Sequence, residues 1–154
     1  MFINVVGNTF REDFRIKLIA KDGEQNLLKL HLNTTKRILP IAILATLIFI
    51  SVSFGVLEKI LGQEWNDIGS VFRILLISLS VQFVNMPTSY LFVFLKKQRL
   101  DFAWQSLYFI TTLFVFYTFS TIVDFRTMIL YFSLVRLFVY IIQYVLSLII
   151  AVKG

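Results

Sequence analysis

The sequence predicts an all-α integral membrane protein in which four transmembrane helices are preceded by a cytoplasmic amphipathic helical segment. Three observations carry that prediction. Of the 154 residues, 58% are hydrophobic and the mean hydropathy is +0.81, which leaves too little polar surface for a soluble domain of this length. Four apolar runs each reach the roughly 20 residues needed to cross a bilayer core. The stretches between those runs differ in charge as inner and outer loops do.

Residues 1–37 form the basic amphipathic segment, and residues 38–154 the transmembrane region. Met1 to Val6 is a short apolar run that cannot cross a bilayer by itself. From Asn8 onward the chain is charged, with Phe10, Phe14 and Leu18 at helical spacing opposite Arg11, Arg15 and Lys17. Gly23 interrupts the pattern, and a second helical piece follows from Gln25 to Leu32. Both pieces are expected to lie on the cytoplasmic membrane surface, with His31 turned to water. A solvated loop with helical bias is the alternative. No leader with a small-residue cleavage site opens the sequence, so insertion is expected to rely on the internal spans.

The first span covers about 38–57 and tolerates Pro40 in its first turn. A polar outer loop with Trp65 at the interface leads to the second span, about 70–95, where Pro87 removes a backbone donor and crowds the carbonyl of Phe83. That helix is expected to kink or unwind towards its inner half. The third span, about 102–123, ends in a tight external turn at Asp124 to Arg126, and the fourth, about 127–152, returns the chain to the inside at Lys153. This topology puts eleven Lys and Arg residues in cytoplasmic segments against two, Lys59 and Arg126, in outer loops. The asymmetry fixes the expected orientation, with both termini cytoplasmic.

The formal net charge of +6 points to anionic lipid headgroups and not to nucleic acid, because the basic residues fall between apolar runs instead of along one face. With no cysteine and one histidine, thiolate sites and His-based metal sites are not expected, and no cofactor is. The spans hold no pair of acids, serine has no histidine base beside it, and the six glycines are scattered. These absences argue against an enzyme.

Polar residues inside the spans are the candidates for function. Arg136 lies about 4 to 5 Å from the bilayer centre, where a guanidinium costs roughly 2.5 to 3.5 kcal/mol on insertion scales. Ser133, Arg136, Tyr140, Gln143 and Ser147 repeat at three-four spacing and share a face, which is expected to look onto a wet cavity. A structural arginine bonded to neighbouring helices is the other reading. On the second span Ser78, Gln82, Asn85 and Ser89 make another polar stripe, which bonds between helices or lines a pathway. Arg73 sits near the outer surface, within snorkelling reach of the headgroups. On the third span Trp104, Tyr108, Thr111 and Thr118 form a stripe that reads as packing.

The turn Leu61-Gly62-Gln63-Glu64-Trp65, then Asp67-Ile68-Gly69, an apolar helix with Gln82-Phe83 and Pro87, and Lys97-Gln98-Arg99-Leu100-Asp101 together resemble a known family. It is the C-terminal part of polysaccharide biosynthesis membrane proteins, the Wzx-type O-antigen and capsule flippases of the MATE-related (MOP) exporter superfamily. Thr35 to Pro40 resembles the approach to the family's ninth helix. The resemblance implies the last four of about twelve helices arranged in two lobes that rock about a cationic cavity. A chain with four spans would then be a truncated or split part, dependent on missing N-terminal helices or a partner membrane protein and unable to transport alone. The implied substrate is an undecaprenyl-pyrophosphate-linked oligosaccharide, one of the polyprenyl-pyrophosphate-linked glycans. By resemblance, Arg136, Tyr140 and Gln143 would meet the pyrophosphate and Gln82 and Asn85 the sugars, with Arg73 as a further candidate. The alternatives are a fragment of a multidrug exporter of the same superfamily and a small four-helix membrane partner without transport activity.

Overall fold

The computed structural model describes residues 2–20, 26–53, 59, 62 and 68–153. Six helices account for almost all of them: α1 (Phe2–Ile19), α2 (Leu27–Ser53), α3 (Ile68–Asn85), α4 (Tyr90–Phe94), α5 (Gln98–Phe119) and α6 (Phe125–Lys153). No strand occurs among the described residues. Four helical stretches, α2, α3 with α4, α5 and α6, are long and apolar enough to cross a membrane. Their number matches the sequence expectation, but their bounds shift.

The largest difference is at the first apolar helix, which starts at Leu27 and runs without a break into the stretch from Ile38 expected to cross the membrane. Asn26 sets this start: its Oδ1 accepts the Lys29 amide at 3.1 Å, an N-terminal cap for one of the helix's unpaired donors. Leu27, His31, Thr34, Ile38 and Ala42 then form one buried stripe at spacings of three and four, so the same face packs inward across the whole segment. Pro40 therefore lies well inside the helix, not in its first turn, on an exposed position where its missing N–H breaks no tertiary contact. His31 is fully buried rather than turned to water. With the Ser147 hydroxyl donating to Tyr144 O at 2.8 Å, the imidazole Nε2 donates to Ser147 Oγ at 2.8 Å and ties α2 to α6.

The segment before it also behaves differently from a surface-bound amphipath. Residues 2–6, expected to be a separate tag, belong to α1. The apolar stripe of α1 faces protein: Phe14 and Leu18 pack with Leu27, Leu91, Phe92, Ile150 and Ala151, and Phe10 packs beside Ile38 and Phe83. Gly7 allows the closest approach, since a Cβ there would sit 2.5 Å from Met86 Sδ. The break expected at Gly23 lies outside the described residues, as does the loop around Trp65.

Pro87 has the effect expected of it. The α-helical bonding of α3 stops at Asn85, residues 86–89 turn, and α4 resumes the span. The carbonyl of Asn85 accepts both the Ser89 amide and the Thr88 hydroxyl at 3.1 Å, so the break leaves it bonded. The α4 end is closed by Lys96 at φ 56°, with Lys97 N donating to Phe92 O at 2.8 Å and Lys96 N to Val93 O at 3.1 Å. This pattern turns the chain sharply into α5.

Among these helices α3 packs on α2 and α6, and α6 packs on α2, α3 and α5. The α5 helix is peripheral: Val115 is its one buried residue among those described, while Phe102, Phe109, Ile110, Phe114 and Tyr117 face outward. An apolar exterior of this kind suits hydrocarbon and not water.

Two predictions follow from this packing. Phe14→Ala removes a fully buried ring from the α1 anchor and should weaken docking by about 3 kcal/mol, read as faster amide exchange along α1 with α6 unaffected. At the start of α6, Asp124 Oδ2 accepts the Thr127 amide at 3.0 Å and Oδ1 the Thr127 hydroxyl at 2.7 Å. These bonds hold the carboxyl below its ordinary value, led by the Thr127 hydroxyl. The cap is complete above the unfolded carboxylate value and is lost as pH falls through the lower folded one, so protection of the Thr127 amide relative to its intrinsic exchange rate should fall at acid pH, whereas Asp124→Asn should abolish that dependence.

Candidate polar cavity between the helices

The interior of the bundle is joined by side chains that reach across helices. Along the α3–α6 contact, Ser133 Oγ donates to Ile74 O at 2.7 Å and Asn85 Nδ2 donates to Tyr140 O at 2.6 Å. Between these bonds, the Arg136 guanidinium donates to Gln82 Oε1. On the α5 side Trp104 Nε1 donates to Val139 O at 2.9 Å, and the Trp104, Tyr108 and Tyr140 rings pack within 6.1 Å of one another. Carbonyls of α3 and α6 that already serve their own helices accept second bonds here, which a carbonyl's two lone pairs allow.

Beside this seam lies a cavity of about 240 Å³. Gln82, Asn85, Tyr140 and Gln143, four of the six predicted site residues, all line it. Arg11, Ser89, Asp101, Trp104 and Gln105 complete its polar lining, supplied by α1, the turn at 86–89 and α5. Asn85 is 2% exposed and Gln143 is 5% exposed. Each nevertheless carries a side-chain oxygen, Oδ1 and Oε1 respectively, with no hydrogen-bond partner among the described residues. The orientation of Asn85 is fixed by its bond to Tyr140 O, so its oxygen is left to accept. The cavity thus combines amides, two aromatic rings and uncompensated acceptors with one cation and one carboxylate at its edge.

Arg136 stands next to this cavity, not in it. Its guanidinium carbon lies 5.9 Å from the Tyr108 centroid and 5.7 Å from those of Phe132 and Tyr140, and the side chain contributes to a separate groove between α2 and α3. Gln82 lines both spaces and is the link between them. Arg73 is apart from the other five: it donates to Ser53 O at 3.2 Å and so meets the C-terminal end of α2. Nine residues separate it from Gln82 along the chain, about 13 Å of helix.

Sequence reasoning missed the contributions of Arg11, Asp101 and Gln105. Arg11, expected opposite Phe14 and Leu18, is instead on their side of the helix: Gly7, Arg11, Phe14 and Leu18 follow at spacings of four, three and four, and the last two are buried. Trp104, read as packing, does pack on Tyr108 and Tyr140 and also lines the cavity. Among the described residues no cluster of His, Cys, Asp or Glu has the arrangement of a metal site.

The polar seam is testable by unfolding in detergent. Asn85→Ala removes the bond to Tyr140 O and Trp104→Phe the bond to Val139 O, and each should cost about 0.5 to 1.5 kcal/mol. Their acceptors are neighbouring residues of α6, so the double variant should depart from additivity if that turn relaxes as a unit.

No family model, no curated protein and no solved structure matches this chain.

Proposed function

We propose that this chain forms part of a membrane carrier for a polyprenyl-pyrophosphate-linked oligosaccharide, with its termini on the cytoplasmic side. The observation that supports this reading is the convergence of Gln82, Asn85, Tyr140 and Gln143 on one cavity with Trp104. Sugars offer hydroxyls that donate to amide oxygens and accept from amide nitrogens, and their C–H faces lie well against aromatic rings. A site holding buried acceptors without donors has an incomplete hydrogen-bond count that ligand hydroxyls complete. The apolar exteriors of α2 and α5 leave the lipid part of such a substrate in the bilayer. Transport by alternating access needs a second bundle moving against this one, so the chain acts within a larger assembly.

A second reading is favoured by a different observation. Most span polar groups described above are engaged in helix-to-helix bonds, as a four-helix partner protein without transport activity would also require.

Tryptophan fluorescence separates the two. The sequence has two tryptophans, so a Trp65→Phe background leaves Trp104 as a reporter at the cavity wall. In nanodiscs, a polyprenyl-pyrophosphate-linked oligosaccharide should shift its emission, with Gln143→Leu weakening the response about tenfold, the equivalent of one lost hydrogen bond. Equal binding by polyprenyl pyrophosphate without sugar, or no effect of Gln143→Leu, would favour the partner protein.

A further inference from the structure

The groove between α2 and α3 has a volume of about 430 Å³, and its walls are mostly apolar, with Ile41, Ala45 and Ile48 on one side and Leu79 and Phe83 on the other. Arg136, reaching in from α6, is the one charged residue that lines it. Its contacts described above are with an amide and three aromatic rings, and its Nε is buried without a hydrogen-bond partner. The ion pairs among the described residues are Arg15 with Glu12 and Lys17 with Asp13, both within α1. No carboxylate among the described residues compensates the cation.

Depth decides what can compensate it. Arg136 is three residues from the midpoint of α6, about 4.5 Å along the axis. Half of a hydrocarbon core is about 15 Å, so lipid phosphates at rest lie some 10 Å farther out. A second copy of this chain cannot supply the anion either: the four stretches able to cross a membrane contain a single acid, Asp101, in the first turn of α5. What fits is a carboxylate carried to that depth on an apolar helix. Ala45, a small residue on the groove side of α2, leaves room for a helix to approach closely.

We infer that the α2–α3 groove is the docking surface for a further transmembrane helix whose Asp or Glu side chain pairs with Arg136. The inference is independent of the carrier reading, because the guanidinium needs a resident anion whatever the neighbouring cavity takes up. An anionic substrate in transit would satisfy it only intermittently.

The test is photo-crosslinking in the membranes of the producing cell, with p-benzoylphenylalanine at Ile48 in the groove and, as control, at Phe109 on the outer face of α5. Mass spectrometry of the Ile48 adduct should return a transmembrane peptide containing Asp or Glu, absent from the Phe109 sample. Arg136→Gln should lower the yield at least fivefold, and neutralising the partner's acid should do the same. That second substitution leaves this chain intact, so it reads the pair even where Arg136→Gln disturbs folding. Exchanging the charges, Arg136→Glu against the partner acid changed to Arg, should restore the adduct. Adducts to phospholipid alone, to a membrane peptide without an acid, or a yield indifferent to neutralising the acid would overturn the inference. No glycan binding is measured, so either result leaves the cavity reading to its own test.

Discussion

The structure depends on a single constraint: polar groups placed inside apolar helices must find partners within the bundle, because hydrocarbon offers none. The α3–α6 seam meets it with Ser133 on Ile74 O, Arg136 on Gln82 and Asn85 on Tyr140 O, one after another along the two helices. Lipid tails are as apolar as leucine, so hydrophobicity alone does not hold one spanning helix against another. Directional bonds and close packing set which faces meet. The pairing of α3 with α6 is thereby fixed, and α2 and α5 take positions on either side.

That constraint also explains why the cavity lies where it does. Pro87 ends α3 early, and after the turn at 86–89 α4 packs on α6 again, with Leu91 and Phe92 beside Ile150 and Ala151. The cavity lies beside this turn, lined by Asn85, Met86 and Ser89, and α1 borders it, with Gly7 against Met86 and Arg11 at the cavity edge. Asn85 bonds across the seam with its nitrogen and is left with a bare oxygen, so one residue both joins the helices and lines the cavity. A polar group satisfied on one side only is what a binding surface inside a membrane protein requires.

The four spans were legible because hydropathy over twenty residues is a strong signal, and the break at Pro87 because a missing N–H has one local consequence. The convergence of Gln82, Asn85, Tyr140 and Gln143 was legible as two separate polar stripes, one on each helix. The true start of α2 was obscured by Lys36 and Arg37, whose charges suggested a membrane boundary although they sit on the exposed side of a continuous buried stripe. His31 was misplaced for the same reason. A polar residue read as facing water was instead buried against Ser147, because amphipathic periodicity shows which face is apolar and not what will pack against it. The docking of α1 is a tertiary contact over a long sequence separation, and no local pattern records it.

Arg136 shows how far structural and functional readings of an intramembrane charge can be separated. Its bond to Gln82 and the surrounding rings lower the cost of placing it at mid-span, and in that sense it is structural. A purely structural role, however, would be served as well by a neutral side chain such as Gln, without the cost of burying a formal charge. Neutral partners stabilise a cation but do not neutralise its field, which extends through Gln82 to the cavity on one side and into the α2–α3 groove on the other. An anion approaching from either side gains from the same guanidinium. The charge therefore stands at the boundary of two spaces that share Gln82 as a lining residue, and its bond to that residue places it beside one while its side chain lines the other.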